Sequence, residues 1–171
     1  MDVVRGTLTM IYVPPRGQPS PHFTWAEVIA HSGYSRVPLG PMRLPNGHWV
    51  TPRANARTQA GMLEQVRAQV NAKRAGHGLN PTGIVILSWA RSWEHNKAVG
   101  GAIDSQHLYF RACDISLQEI ERLCPWATGR QDFERIIQTV YSKGGVGDYS
   151  AGNRHVDCRG YRARWTSFVG W

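Results

Sequence analysis

Two short segments carry residue types that together can hold a metal ion. In SQHLYFRACDI, His107 stands seven residues before Asp114. The six residues between them are enough to turn a corner and enter a strand, so both side chains can converge on one point. In RHVDCRG, His155 and Asp157 lie two apart, which on a strand puts them on one face. Two histidines and one carboxylate suit catalytic Zn²⁺ and leave a fourth position for water. The same residues also read as a buried His–Asp pair beside a surface salt bridge. The other five histidines invite plainer readings. His22, His48 and His77, in polar or Gly/Pro-rich stretches, are expected to be solvated. His31 falls at a helix end, where positive charge suits the dipole, and His95 falls in a loop. The three cysteines show no C-x-x-C spacing and are odd in number, which argues against both a cysteine metal site and a disulfide scaffold. Cys113 and Cys158 each adjoin a site residue on a strand and should face away from it, a Cys113–Cys158 bridge being the alternative.

These residues need elements to position them. Thr24 precedes WAEVIAHSG, which reads as a short capped helix ending near Gly33. Thr51 as N-cap, Pro52 in the first turn and Ala56, Ala60, Leu63, Val66 and Val70 at helical spacing predict a long helix that Gly76 stops. IVILSW (84–89), rich in β-branched residues, predicts a buried strand, and 111–115 another. Ser116 and Glu119 predict a capping box for LQEIERLC, which Pro125 ends. Phe133, Ile136, Ile137 and Val140 mark a further amphipathic helix, closed by Gly144 and Gly145, and 154–158 predicts a last strand. Residues 7–13 suggest a short strand before PPRGQPSP (14–21). Helices early and strands late favour an α+β domain over a doubly wound sheet.

The run SWARSWEHNKAVGGAIDSQHLYFRACDI resembles the signature of zinc D-alanyl-D-alanine peptidases, a family that includes L-alanyl-D-glutamate endopeptidases and is related in fold to the hedgehog signalling domain. That family reads S-G-Y-R-S, then N-x-x-V-G-G-A, then S-x-H-x-x-G-x-A-x-D. The close, HVDCRGYRARW, resembles its last motif, and FTWAEVIAHSG resembles the N-terminal helix of its phage and bacterial wall branch. These motifs run co-linearly over most of residues 23–165. The resemblance implies a small, mainly antiparallel sheet with helices packed on it and a zinc cleft on the sheet. It implies one Zn²⁺ held by His107, Asp114 and His155. Arg91 matches the arginine that binds substrate and steadies the developing oxyanion, and Ser105, with Gln106 beside it, falls at the substrate-binding position before the ligand histidine. Two departures stand out. Phe110 replaces a family glycine, which permits either tight backbone geometry or close approach of substrate, and the S-G-Y-R motif becomes Ser88-Trp89-Ala90-Arg91. The acid often found three residues before the last histidine is Gly152 here. Asp157 is therefore the first candidate for general base, against a reading as an ion pair with Arg159 or Arg162, and Asp148 in the GVGDYS loop is the next.

Composition sets the remaining bounds. The chain has 171 residues, 42% of them hydrophobic, with 20 Lys+Arg against 12 Asp+Glu for a net charge of +8. That suits one domain with a sizeable core: residues 1–21 as an N-terminal extension and Pro-rich linker, 22–171 as a single zinc peptidase domain. Seven tryptophans argue against disorder, and their wide spread makes them core or cleft-wall residues. No apolar run is long enough to span a membrane. YRARW mixes basic and aromatic residues as single-strand binders do, but no second such stripe accompanies it, so nucleic acid is disfavoured. The basic excess alone suits nucleic acid, membrane or wall polymer; the resemblance implies peptidoglycan peptide as substrate and, with it, attraction of the charge to anionic cell-wall surfaces. MDVVRGTLTM lacks the features of a secretory signal. The expectation is a monomer, unless part of a virion, made in the cytoplasm and acting on the wall after release or from a phage particle. The alternative is a non-catalytic binding or virion protein on the same fold, with a weakened zinc site.

Overall fold

Helix α2 (Pro52–Gly76) is the longest element, and its sequence shows why it forms. Pro52 opens it where a missing N–H costs nothing. Ala56, Ala60, Leu63, Val66 and Val70 make a continuous buried stripe, and Lys73 and Arg74 place positive charge in the last turn. Thr51 does not cap it through its side chain; its hydroxyl turns towards Asn55. The computed structural model describes residues 18–149 and 152–167, so the strand expected at 7–13 and the first part of the proline-rich stretch lie outside the described residues.

Helix α1 (Trp25–Ile29) starts from a reciprocal capping box between Thr24 and Glu27 and stops earlier than expected, because His31 and Gly33 take left-handed backbone at φ 55° and 79°. His31 therefore sits in a turn beyond the helix. A two-residue hairpin follows, β1 (Met42–Arg43) paired with β2 (Trp49–Val50). Helix α3 (Trp93–Ala98), capped by Ser92, contains His95, which was expected in a loop. Beyond it come β3 (Ala112–Ile115), α4 (Leu117–Leu123) and α5 (Gly129–Val140), then β4 (Gly145–Tyr149), β5 (Arg154–Asp157) and β6 (Ala163–Ser167). The last four strands form one sheet in the order β3-β5-β4-β6, antiparallel except for the parallel β4–β6 pair. The architecture is α+β, as expected, and the sheet is mainly antiparallel, with one parallel pair.

Three expectations are corrected here. Residues 84–89 form no strand: one bridge joins Ser88 to Asp114, Val85 donates its N–H to the Glu119 carboxylate instead of a ladder, and Val85 and Leu87 are 63% and 46% exposed. That contact also takes Glu119 from its expected box, leaving only the Ser116 side of the cap. Finally, 154–158 is not the last strand, since β6 follows it and β4 precedes it. His22, His48 and His77 are exposed, as expected, with His22 also paired to Glu64 and His77 stacked on Trp126. Among the described residues no helix is long and apolar enough to cross a membrane.

The two faces of the sheet divide the labour. Strand alternation and register put Ala112, Asp114, His155, Asp157, Gly145, Gly147 and Trp165 on one face. Cys113, Ile115, Val156 and Val146 lie on the other, within the main hydrophobic core. There Gln59 of α2 reaches through from behind, donating to the Tyr141 hydroxyl and the Val156 carbonyl and touching the Cys113 sulfur. All three cysteines are free, and Cys113 faces away from Asp114 as expected.

Candidate metal centre

Two strands and one turn bring His107, Asp114 and His155 together. Asp114 and His155 are direct cross-strand partners on β3 and β5. His107 arrives from the turn before β3, which is pinned by a hydrogen bond from the Arg91 N–H to the His107 carbonyl. Trp89, fully buried, donates its indole N–H to the Phe110 carbonyl and anchors the end of that turn. Phe110 closes it in the left-handed region, φ 62°. That is the reason a glycine suits the position: the constraint is in the backbone, and the Phe110 ring is wholly buried against Tyr34, within the main hydrophobic core. Asn96 shapes the opposite wall. Its side chain donates to the Ala102 carbonyl, and a Cβ on Gly101 would overlap it, which explains the N-x-x-V-G-G-A pattern physically.

Partners on the far sides of both rings fix which nitrogens face the centre. His107 Nδ1 contacts the Trp89 carbonyl, which can only accept, so Nδ1 carries the proton and Nε2 presents a lone pair. His155 Nε2 lies 3.0 Å from an Asp157 oxygen, so it donates there and Nδ1 faces inward. Nε2 of His107 and Nδ1 of His155 are then 3.1 Å apart, and Asp114 Oδ1 lies 3.3 Å and 3.0 Å from them. Three electron-pair donors, at most 3% exposed, crowd one point. Such a group draws in positive charge. Burial alone would raise the Asp114 carboxyl, yet His107 and His155 hold it well below the ordinary range. Burial lowers His107, while hydrogen bonds to Asp114 and Asp157 overcome burial and raise His155. A divalent cation would answer that electrostatic demand. By donor type, spacing and second-sphere partners the three residues form a group able to hold a metal ion.

The surroundings separate the remaining expected residues. A cleft of about 290 Å³ opens over the group, lined among others by Arg91, Ser105, Gln106, Tyr149, Arg159 and Trp165. Arg91 is buried, donating to Asp114 Oδ2 at 2.7 Å and to Ser88 Oγ at 3.3 Å. Gln106 accepts from Arg111. The two candidates for general base are placed elsewhere. Asp157 is fully buried; its oxygens accept from His155, the Arg159 guanidinium and the backbone N–H groups of Gly145 and Arg159. Burial works against that charge, but Arg159 and His155 hold the carboxyl far below its ordinary range. Asp148 lies on the opposite face of β4 and pairs with Arg154 at 2.5 Å. Gly152, at the position where the resemblance leads one to expect an acid, takes φ 78° beside Leu117.

Three neighbours were not singled out as site residues from the sequence. Trp165 packs tilted on His155, ring centres 5.1 Å apart, in space that a Cβ on Gly147 would fill. Arg159 lies over Trp165 at 5.0 Å and bridges it to Asp157. The Tyr149 hydroxyl lies 3.4 Å from His155 Nδ1, the inward-facing nitrogen. Burial and the Asp114 charge raise the Tyr149 phenol above its ordinary range. The period-two pattern Gly145, Gly147, Tyr149 was the signal available for these: two vacancies and a ring along one strand face.

Comparison with known proteins agrees with this geometry. The sequence model of a family described as Peptidase M15 matches residues 48–158, from β2 through the end of β5, with all three donors and Arg91 inside the match. No curated protein matches the chain. By that match, which covers well over half of its length, the chain belongs to the peptidase M15 family.

Proposed function

We propose that the chain is a zinc-dependent peptidase that hydrolyses peptide bonds of peptidoglycan stem peptides or cross-links. The class of cleavage is D,D-carboxypeptidase, D,D-endopeptidase or L-alanyl-D-glutamate endopeptidase, in the setting of a phage lysin or a virion-associated wall enzyme. The observation that carries the reading is the convergence of two fixed imidazole lone pairs and one carboxylate oxygen at the floor of a cleft that also holds a buried arginine.

His107, Asp114 and His155 would hold the ion, which supplies a Lewis acid and lowers the pKa of bound water to about 7. The chain's own residues do the rest. Trp89 and Asp157 lock the two imidazoles in the ligating tautomer before any metal arrives. Asp114 divides its oxygens, one toward the imidazoles and one toward Arg91, so the same carboxylate binds metal and aims the guanidinium. Arg91 then offers fixed positive charge to the scissile carbonyl as it becomes an oxyanion, or to a terminal carboxylate. Asp157, with both oxygens engaged, acts by orienting His155 and not as the base. Ser105 and Gln106 form the wall along which the peptide lies.

Digestion of purified muropeptides, with mass spectrometry of the products, tests the reading and names the bond. Cleaved stem peptides with one zinc per chain are expected. A zinc-loaded protein that releases no product from any muropeptide would favour the binding protein on the same fold. The net charge of +8 supports attraction to anionic wall polymers. Lysis of whole cells should then fall steeply with salt while cleavage of a soluble stem peptide changes less, and equal sensitivity would remove that role from the charge.

A further inference from the structure

Among the described residues, no carboxylate in the cleft floor is left to act on substrate. Asp114 belongs to the donor group and Asp157 is saturated from four directions. Asp104, at the outer wall, accepts from Asn46. Beside Arg91, Ser105, Gln106 and Arg159, the cleft carries one hydroxyl set directly against a donor of the metal group, that of Tyr149. Its position is set by the fold. Tyr149 ends β4 two residues beyond Gly147, which pairs with His155, so the ring rises on the metal face beside that histidine. Its N–H donates to the Asn153 carbonyl at 3.1 Å, closing the connection into β5. Its ring meets the His155 ring nearly edge-on, 6.2 Å between centres at 78°. The hydroxyl ends 3.4 Å from the nitrogen that faces the donor centre, in the same cleft as Arg91.

We propose that Tyr149 is a catalytic residue: its hydroxyl donates a hydrogen bond to the carbonyl oxygen that gains negative charge when the peptide bond is attacked, completing with Arg91 a two-donor oxyanion hole. This rests on the peptidase reading above. A phenol is a donor at neutral pH, and a donor held on a strand needs no reorganisation as charge develops. Arg91 is anchored from β3 through Asp114 and Tyr149 from β4, so the two donors approach from opposite sides of His155 on separate rigid elements. No bond to Tyr149 forms or breaks; its proton stays on the phenol.

The test compares wild type and Tyr149→Phe, both zinc-loaded, for calorimetric binding of the phosphinate isosteres of D-alanyl-D-alanine and L-alanyl-D-glutamate, whose tetrahedral anionic group mimics the attacked carbonyl. Zinc affinity of the metal-free proteins and binding of the free product amino acids are measured beside it. The phosphinate that wild type binds should bind Tyr149→Phe about 10- to 100-fold more weakly, the range for a hydrogen bond to a charged group. Zinc affinity and product binding should change less than about threefold, because the ring and its packing are retained. Equal phosphinate affinity in the two proteins overturns the role of Tyr149 and leaves the peptidase reading intact. A parallel fall in zinc affinity also overturns it, making Tyr149 a support for His155. A zinc-loaded wild type that binds neither phosphinate overturns the peptidase reading, and the role of Tyr149 with it.

Discussion

The two faces of the four-stranded sheet are built from the same three adjacent strands, β3, β5 and β4, one residue out of step, and they obey opposite rules. On the core face Cys113, Ile115, Val146 and Val156 are small or β-branched and fully or nearly buried, with one amide, Gln59, tying the strands to α2. On the metal face Asp114, His155 and Asp157 are as deeply buried, yet every one is ionisable. Burial without charge gives stability; burial of paired charge gives a centre that demands a cation and surrounds it with fixed donors. Since side-chain direction alternates along a strand, a single register determines both faces, and a slip of one residue would exchange them.

The comparison is sharpest when each face is broken separately. His107→Ala removes one donor of the centre and should take muropeptide cleavage to background while the protein still folds, as followed by thermal melting; retained turnover would detach the chemistry from this face. Ile115→Ala, next in sequence to Asp114 but on the core face, should cost about 2–5 kcal/mol in denaturant unfolding while zinc per chain stays unchanged. A loss of zinc in that variant at temperatures where it remains folded would show that the two faces are not separable.

Asp157→Asn probes the residue that belongs to both descriptions, buried like a core residue and paired like a site residue. It should weaken zinc affinity about 10- to 100-fold, the usual cost of losing an orienting partner of a metal-bound histidine, measured by competition with a chelator. Unchanged affinity would return Asp157 to a purely structural ion pair with Arg159.

The smallest effect lies away from both faces, at the start of α5. There hydrogen bonds from Trp126 and Lys73 lower the Asp132 carboxyl from 3.8 to about 2. A carboxyl depressed in the folded state stabilises it above the unfolded value and loses that contribution as pH falls towards the folded one. The melting temperature of wild type should therefore drop between about pH 4 and about pH 2, and Asp132→Asn should drop less over the same window. Parallel curves would remove Asp132 from the acid response.

Which parts of this arrangement the sequence made legible follows from where the information sits. His107, Asp114 and His155 could be picked out because their spacing and types are local, and α2 and α5 because an apolar stripe repeats at helical period. Strand β4 was not legible, because Gly145 and Gly147 depress any strand signal. They are there to leave room for Asp157 and the Trp165 ring, a reason that exists only once β5 and β6 are paired with it. Residues 84–89 misled in the opposite direction: strong strand formers were denied a ladder when Glu119, a side chain from α4, took the Val85 N–H. Phe110 was marked as a departure from the glycine pattern, but only its φ of 62° shows that the constraint is conformational. Asp157 was placed on the correct face, yet which nitrogen of His155 it meets depends on the ring's orientation, and that decides between base and orienting partner.

The central claim is that His107, Asp114 and His155 bind one zinc ion on this face of the sheet. Calorimetric titration of the metal-free protein with Zn²⁺, beside Asp114→Ala, tests it most directly. One site per chain in wild type and no stoichiometric site in Asp114→Ala is the predicted result; a full site retained in Asp114→Ala would contradict it.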